Sequence, residues 1–226
     1  MEKKYKFTNK IRRFKGKTLH RIVALRDFSN VIAGEKGGWI EKEDNLSHEG
    51  DCWVSDNAIV CDKACVFDNA KVAGNAIVEK CGHVFGEASV SVNARITDYA
   101  AIFGYARVFG AALVGERANV CGNSMIGMDA AIEGNARVTG KVVIDGTAYI
   151  GGNAEIAKNE DFIVFKNWWS SGRYFTWTRS NDKYKVGCFY GTGKELIEAA
   201  YNDSEEKGRE YERIVNYVNS IKNHGK

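Results

Sequence analysis

Valine or isoleucine occupies positions 54, 60, 66, 72, 78, 84, 90, 96, 102, 108, 114, 120, 126, 132, 138, 144, 150 and 156, eighteen consecutive hits at a spacing of six. A helix repeats its apolar stripe every ~3.6 residues and a strand every ~2, so this beat excludes a long amphipathic helix and a long flat strand. Two residues before each anchor sits a small side chain, alanine in fourteen of the eighteen, with Cys52, Gly82, Ser124 and Val142 as the exceptions. Turn-formers follow each anchor, as in Asp68-Asn69, Gly74-Asn75, Gly134-Asn135 and Gly152-Asn153. Residues two apart in a strand point the same way, so Ala and Val share the interior, while Gly, Asn and Asp accept the left-handed backbone of a corner. Three such units close a triangular coil, and coils stack at about 4.8 Å. The eighteen units predict six coils of an all-β-dominated parallel β-helix.

The beat also sets the domain organisation. Residues 52–157 form the β-helix. Residues 1–51 supply an N-terminal capping hairpin, turning at Lys15-Gly16-Lys17, and a lead-in that Gly37-Gly38 bends before Trp39. Residues 158–226 supply a small strand-plus-helix cap, with Phe162 the last apolar residue in phase. Its turns fall at Ser170-Ser171-Gly172 and Asn181-Asp182, and Thr192-x-x-Glu195 forms a capping box for a helix near 193–201. Asp203-x-x-Glu206 opens another helix, with Tyr211, Ile214, Val215, Val218 and Ile221 on one face. The chain has no proline beside 24 glycines, which suits corners that need positive φ.

The net charge of +3 is unevenly spread: residues 1–21 carry +8, 22–51 carry −4, 52–157 carry −3 and 158–226 carry +2. A basic arm can contact phosphate or nucleic acid, or can be a lysine-protected edge hairpin; the scarcity of stacking aromatics favours the second. The N terminus lacks the apolar core of a signal peptide, no run approaches a membrane span, and six cysteines read as reduced thiols. The expected compartment is the cytoplasm.

The repeat resembles that of the left-handed β-helix proteins with hexapeptide repeats. "HRIVALRDFSNVIAGEKGGWIEKEDNLSHEGDCWVSDNA", His20 to Ala58, resembles the lead-in segment of YdcK-like members, which occur in bacteria and often in prophages and carry transferase labels drawn from their fold. "GRYFTWTRSNDKYKVGCFYGTGKELIEAAYNDSE" is similar to the tail of phage-borne members. The resemblance implies a left-handed coil and a homotrimer. It also implies one enzyme class to test, acyl transfer from coenzyme A with a histidine general base at a subunit boundary beside an extruded loop.

The coils run from 54 to 156 without an insertion and hold a single histidine, His83, on an outer face. It is the weak candidate for that base, against the simpler reading of an exposed structural histidine. A three-histidine zinc site does not fit, because His20, His48 and His224 lie outside the coils. Cys61, Cys65, Cys81 and His83 are a weak metal set: Cys65 and His83 stack on neighbouring rungs, but Cys81 falls at a corner and Cys61 on the preceding face. "GCFYGTGKE" lacks the phosphate-loop spacing and reads as a strand-to-helix turn.

Arithmetic on eighteen finds outward ladders. Phe67, Phe85 and Phe103 align on one face, continued by Cys121. Ile59, Ile77, Leu113 and Tyr149 align on another, interrupted by Arg95. Such ladders are expected to bury against identical neighbours or the chain's own helices. Trp168, Trp169, Arg173, Tyr174, Trp177 and Arg179 form an aromatic–arginine cluster, either the core of the cap or a nucleotide-stacking surface. The expectation is a trimeric binding or scaffold protein rather than an enzyme, without a bound cofactor. In its phage-borne form it would block a host defence component or a nucleotide signal. The alternatives are a coenzyme A-dependent acyltransferase and a virion assembly component. Binding is placed on Phe67, Phe85, Phe103, His83, Trp168, Trp169, Arg173, Trp177 and Arg179.

Overall fold

The computed structural model describes residues 2–223. Two-residue rungs from Trp53–Val54 to Glu155–Ile156 each pair in parallel with the rung eighteen residues on, as Ile59–Val60 with Ile77–Val78 and Ile77–Val78 with Arg95–Ile96. The rungs form three sheets, called here face I (anchors Val60 to Ile150), face II (Val66 to Ile156) and face III (Val54 to Ile144). All eighteen anchors and all fourteen repeat alanines are at most 1% exposed. The expected parallel β-helix is therefore the fold, with Val and Ile filling the interior and Ala lining it beside them.

The stack reaches one turn further towards the N terminus than the hexads do. Ile40 pairs with Val60 on face I, and Leu46 bridges Val66 on face II, each at a separation of twenty residues. That longer first turn is stitched by Asn45, fully buried. Its Nδ2 donates to Ala64 O (2.8 Å) and Asp62 O (3.2 Å), and its Oδ1 accepts from Lys42 N (2.9 Å) and Glu41 N (3.2 Å). Gly37 and Gly38 lie inside strand Lys36–Ile40 rather than at a bend. A Cβ on Gly37 would come within 2.6 Å of Ile22 and Trp53, and one on Gly38 within 2.7 Å of Val54 and Ala58. Close approach, not a corner, requires these two glycines.

The residue two after each anchor from 54 to 150 has positive φ, so every corner is left-handed. Glycine or aspartate holds most corners, as expected. Lys80, Val92, Glu116 and Met128 hold the others, Val92 at φ +64° despite its branched Cβ. Stacking on the coils before and after imposes the conformation on them, at a cost of about 1–2 kcal/mol each. Carboxylates at corners repay some of it by accepting the corner N–H of the next coil: Asp56 from Gly74 (3.0 Å), Asp62 from Lys80 (3.1 Å) and Asp68 from Gly86 (3.0 Å).

Both ends of the prism are closed chemically. At the last coil the N–H of Val143 donates to Asn159 Oδ1 (3.0 Å), that of Tyr149 to Thr176 Oγ1 (3.0 Å) and that of Glu155 to Ser180 Oγ (2.7 Å), one cap on each face. At the first, Lys4, fully buried, donates its ammonium to Glu49, Gly50 and Cys52 carbonyls at 3.3, 3.2 and 2.9 Å. Tyr5 OH donates to Leu46 O (2.8 Å). Burial holds the Lys4 ammonium below the usual lysine range. These contacts satisfy groups that an open coil would offer to another chain.

The hairpin Tyr5–Phe14 and Lys17–Ala24 extends face I antiparallel beyond strand Lys36–Ile40. The C-terminal cap is an antiparallel sheet of Phe162–Lys166, Tyr174–Thr178, Lys183–Val186 and Phe189–Gly191, packed under helices α1 (Gly193–Asp203) and α2 (Glu205–Asn223). Thr192 caps α1 through the expected box. Asp203 ends α1 instead of opening α2, whose first turn is capped by Ser204 Oγ accepting from Lys207 N at 3.2 Å. No helix among the described residues is long and apolar enough to cross a membrane.

Candidate functional site

The rung that brings Val66, Val84 and Ile102 inward turns the following residue outward on face II. Phe67, Phe85 and Phe103 therefore stack at the strand repeat, with ring centroids 4.8 and 5.0 Å apart and planes within 6° of parallel. All three are half-buried, and Cys121 continues the column. His83 stands exposed beside them, its rung paired with Cys65 below and Ala101 above, its ring 6.4 Å from Phe67 in an edge-on contact. No carboxylate among the described residues hydrogen-bonds the imidazole, so nothing there orients it as a base or carries the charge it would gain. The result is a flat apolar ledge with a histidine at its side.

Face I has the opposite fate. The first rungs of its ladder are covered by the protein's own N-terminal hairpin: Leu19 and Phe14 pack on Ile59, Cys61 and Ile77. The hairpin tip is bolted by charge. Lys15 Nζ lies 2.8 Å from Glu79, Lys17 Nζ lies 3.1 Å from Asp62, and Arg95 Nε donates to Glu79 at 2.6 Å. The Glu79 side chain is 3% exposed. Burial alone would raise its pKa, but the Lys15 and Arg95 hydrogen bonds outweigh burial and hold it below the ordinary carboxylate range. At the other end, the C-terminal cap covers Tyr149, with Lys185 Nζ 4.9 Å over its ring and Tyr190 edge-on. Three lysines of the basic segment, Lys4, Lys15 and Lys17, are thus committed to the fold. Their partner Glu79 carries a sequence signal of its own: it stands in an outward column of face I between Cys61 and Thr97, eighteen residues from each, in which Glu133 is the other acidic residue.

The sulfur set does not gather. Cys65 and His83 are rung neighbours, but Cys61 is buried on face I, its thiol pushed up to about 12 by desolvation with help from Asp62. Among the described residues, the His/Cys/Asp/Glu group with ligand atoms within 4.8 Å of one another is Cys61, Asp62 and Glu79. Both of its carboxylates already serve Lys15, Lys17 and Arg95, and burial also raises the Cys65 thiol, which opposes the thiolate that zinc requires.

The aromatic–arginine cluster divides. Trp177 is fully buried, donates Nε1–H to Asp182 Oδ1 (2.9 Å) and carries the Arg179 guanidinium 5.4 Å above its ring, so both build the cap. Trp169 packs edge-on against Tyr211 (5.2 Å) and Phe175 (6.2 Å). Trp168, 72% exposed, and Arg173 face solvent.

No family model matches the chain. Its sequence is similar to the protein named uncharacterized acetyltransferase YdcK of Escherichia coli strain K12, 43% identical over 61 residues. That stretch is 26% of this chain and 19% of the relative, so the chain spans about a fifth of the length of the curated protein it matches. Repeat, turn length and this partial similarity are together consistent with a YdcK-like hexapeptide-repeat β-helix protein.

Proposed function

We propose that the protein is a non-catalytic binding scaffold that self-associates and engages its partner through face II. The half-exposed stack of Phe67, Phe85 and Phe103 carries this reading: it is a contiguous apolar surface of three aromatic rings outside the clusters that the hairpin and the C-terminal cap form among the described residues. A homotrimer would bury three such ledges and place each His83 at a subunit boundary. The phage-borne version, which sequesters a host defence component or nucleotide signal, rests on the resemblance of the lead-in and tail segments alone. Native mass spectrometry tests the reading. The 25.1 kDa chain should assemble, and Phe85→Glu should return it to a monomer with its fold intact. An unchanged mass in the variant, or a monomeric wild type, overturns it.

The similarity to a protein named an acetyltransferase favours a second reading, an acyl transfer from coenzyme A with His83 as base. The residues present fit it poorly, because among the described residues no carboxylate hydrogen-bonds His83 and the coils extrude no loop around it. Acetyl-coenzyme A consumption by the purified protein, abolished in His83→Ala, would establish this reading and displace the first.

A further inference from the structure

The C-terminal cap contains a cavity of about 240 Å³ that neither the ledge nor the β-helix uses. Its wall is the turn from Asn167 to Arg173, closed by Phe175 and by Tyr211 of α2, with Ser170 and Ser171 at the rim. Asn167 is 4% exposed, and its Nδ2 donates to Tyr211 OH at 2.6 Å. That bond pins the amide and leaves Oδ1 buried with no donor. Buried acceptors are rarely left so, and this one belongs to a residue of the cavity wall. Arg173 lines the same cavity, is exposed, and makes no ion pair among the described residues.

We propose that this cavity binds a small organic anion, a carboxylate or a phosphate monoester, that also carries an O–H or N–H donor. Arg173 offers the fork that matches such oxyanions, Asn167 Oδ1 accepts from the donor, and Phe175 and Tyr211 flank the carbon skeleton. The volume lies below the ~300 Å³ at which drug-sized ligand pockets begin, so the ligand is the size of a hydroxy acid or a glycerol phosphate rather than a nucleotide.

The full chain is titrated with L-malate and, separately, with glycerol 3-phosphate, using glycerol as the uncharged control and calorimetry with tryptophan fluorescence as readouts. Trp168 and Trp169 lie in the turn and report on it. One anion should saturate the protein, and the arm that does so identifies the oxyanion. Arg173→Gln should weaken that binding by at least about tenfold at an unchanged melting temperature. Arg179→Gln, outside the cavity, should leave it unaltered. If neither anion binds by about 10 mM, the cavity holds ordered water only and the proposal fails. Binding that survives Arg173→Gln, or that glycerol matches, overturns it equally.

Discussion

Faces I and II are built from the same hexads, share the same interior and differ only in what their outward columns meet. On face I the outward residues Ile59, Ile77 and Tyr149 are covered by the chain's own hairpin and cap, and Glu79 anchors that cover electrostatically. On face II, Phe67, Phe85 and Phe103 stack on one another and stay half-open. The contrast separates two jobs that a β-helix repeat carries at once. Inward positions answer to packing: Val or Ile at every anchor, and a small residue, Ala in most repeats, two before it. Outward positions are unconstrained by the coil, so an apolar run there needs its own explanation. Cover on one side and exposure on the other is the physical basis for assigning partner binding to face II.

The interior should fail first and hardest. Ile102, fully buried between Val84 and Val120 on face II, precedes Phe103 in sequence. Ile102→Ala should cost about 2–5 kcal/mol, the transfer of the lost methylenes plus the cavity left in a rigid stack. Urea denaturation at constant m-value checks it. A loss comparable to that at an outward position would mean that the two sides of the rung are not distinct after all.

The hairpin on face I should be the next to yield, and acid should release it. Glu79 and Asp62 both titrate below the ordinary carboxylate range. For Glu79, burial opposes this shift but the Lys15 and Arg95 hydrogen bonds exceed it; for Asp62, burial is outweighed by the Lys80 backbone and Lys17. A depressed folded pKa gives stability that is fully present above the unfolded value and lost as pH falls through the folded one. The docking energy should therefore fall away below pH 4.5, the ordinary Glu value, while the coils persist. Glu79→Gln should remove about 1–2 kcal/mol at neutral pH, because its cations are half-exposed and rehydrate, and should flatten the acid response. Hydrogen exchange of amides in Lys17–Ala24 is the measurement. Equal protection in the variant and wild type at both ends of the pH range would show that Leu19 and Phe14 alone hold the hairpin.

This asymmetry marks how far the residues could be read without coordinates. The coil, its three faces and the phenylalanine register follow from counting, because stacking makes position i and position i+18 neighbours by necessity. The twenty-residue first turn escaped that count, since its closure depends on the side-chain bonds of Asn45 rather than on a hexad. The hairpin cover escaped it as well. Lys15 and Lys17 meet Glu79 and Asp62 only through a fold-back whose path no local pattern encodes. The cap residues Trp177 and Arg173 lie close in sequence, yet Arg173 ends the exposed turn before strand Tyr174–Thr178, whereas Trp177 lies within that strand and packs into the cap core.

The smallest effect on the isolated chain should come from the ledge, where the comparison is sharpest. Phe85 is half-buried and gains its stabilisation from two parallel neighbours, so Phe85→Ala should cost the monomer about 1 kcal/mol, well under the Ile102 loss. Its larger signature lies in mass action. A fold stabilised by self-association melts at a temperature that rises with protein concentration, since partner subunits bind the native form alone. Wild-type protein should show that rise across a hundredfold dilution series, roughly the range over which linkage adds measurable free energy. Phe85→Ala should flatten it, whereas Glu79→Gln, on the covered face, should lower the melting temperature equally at every concentration. If Glu79→Gln flattened the series and Phe85→Ala did not, the interface would lie across the hairpin on face I.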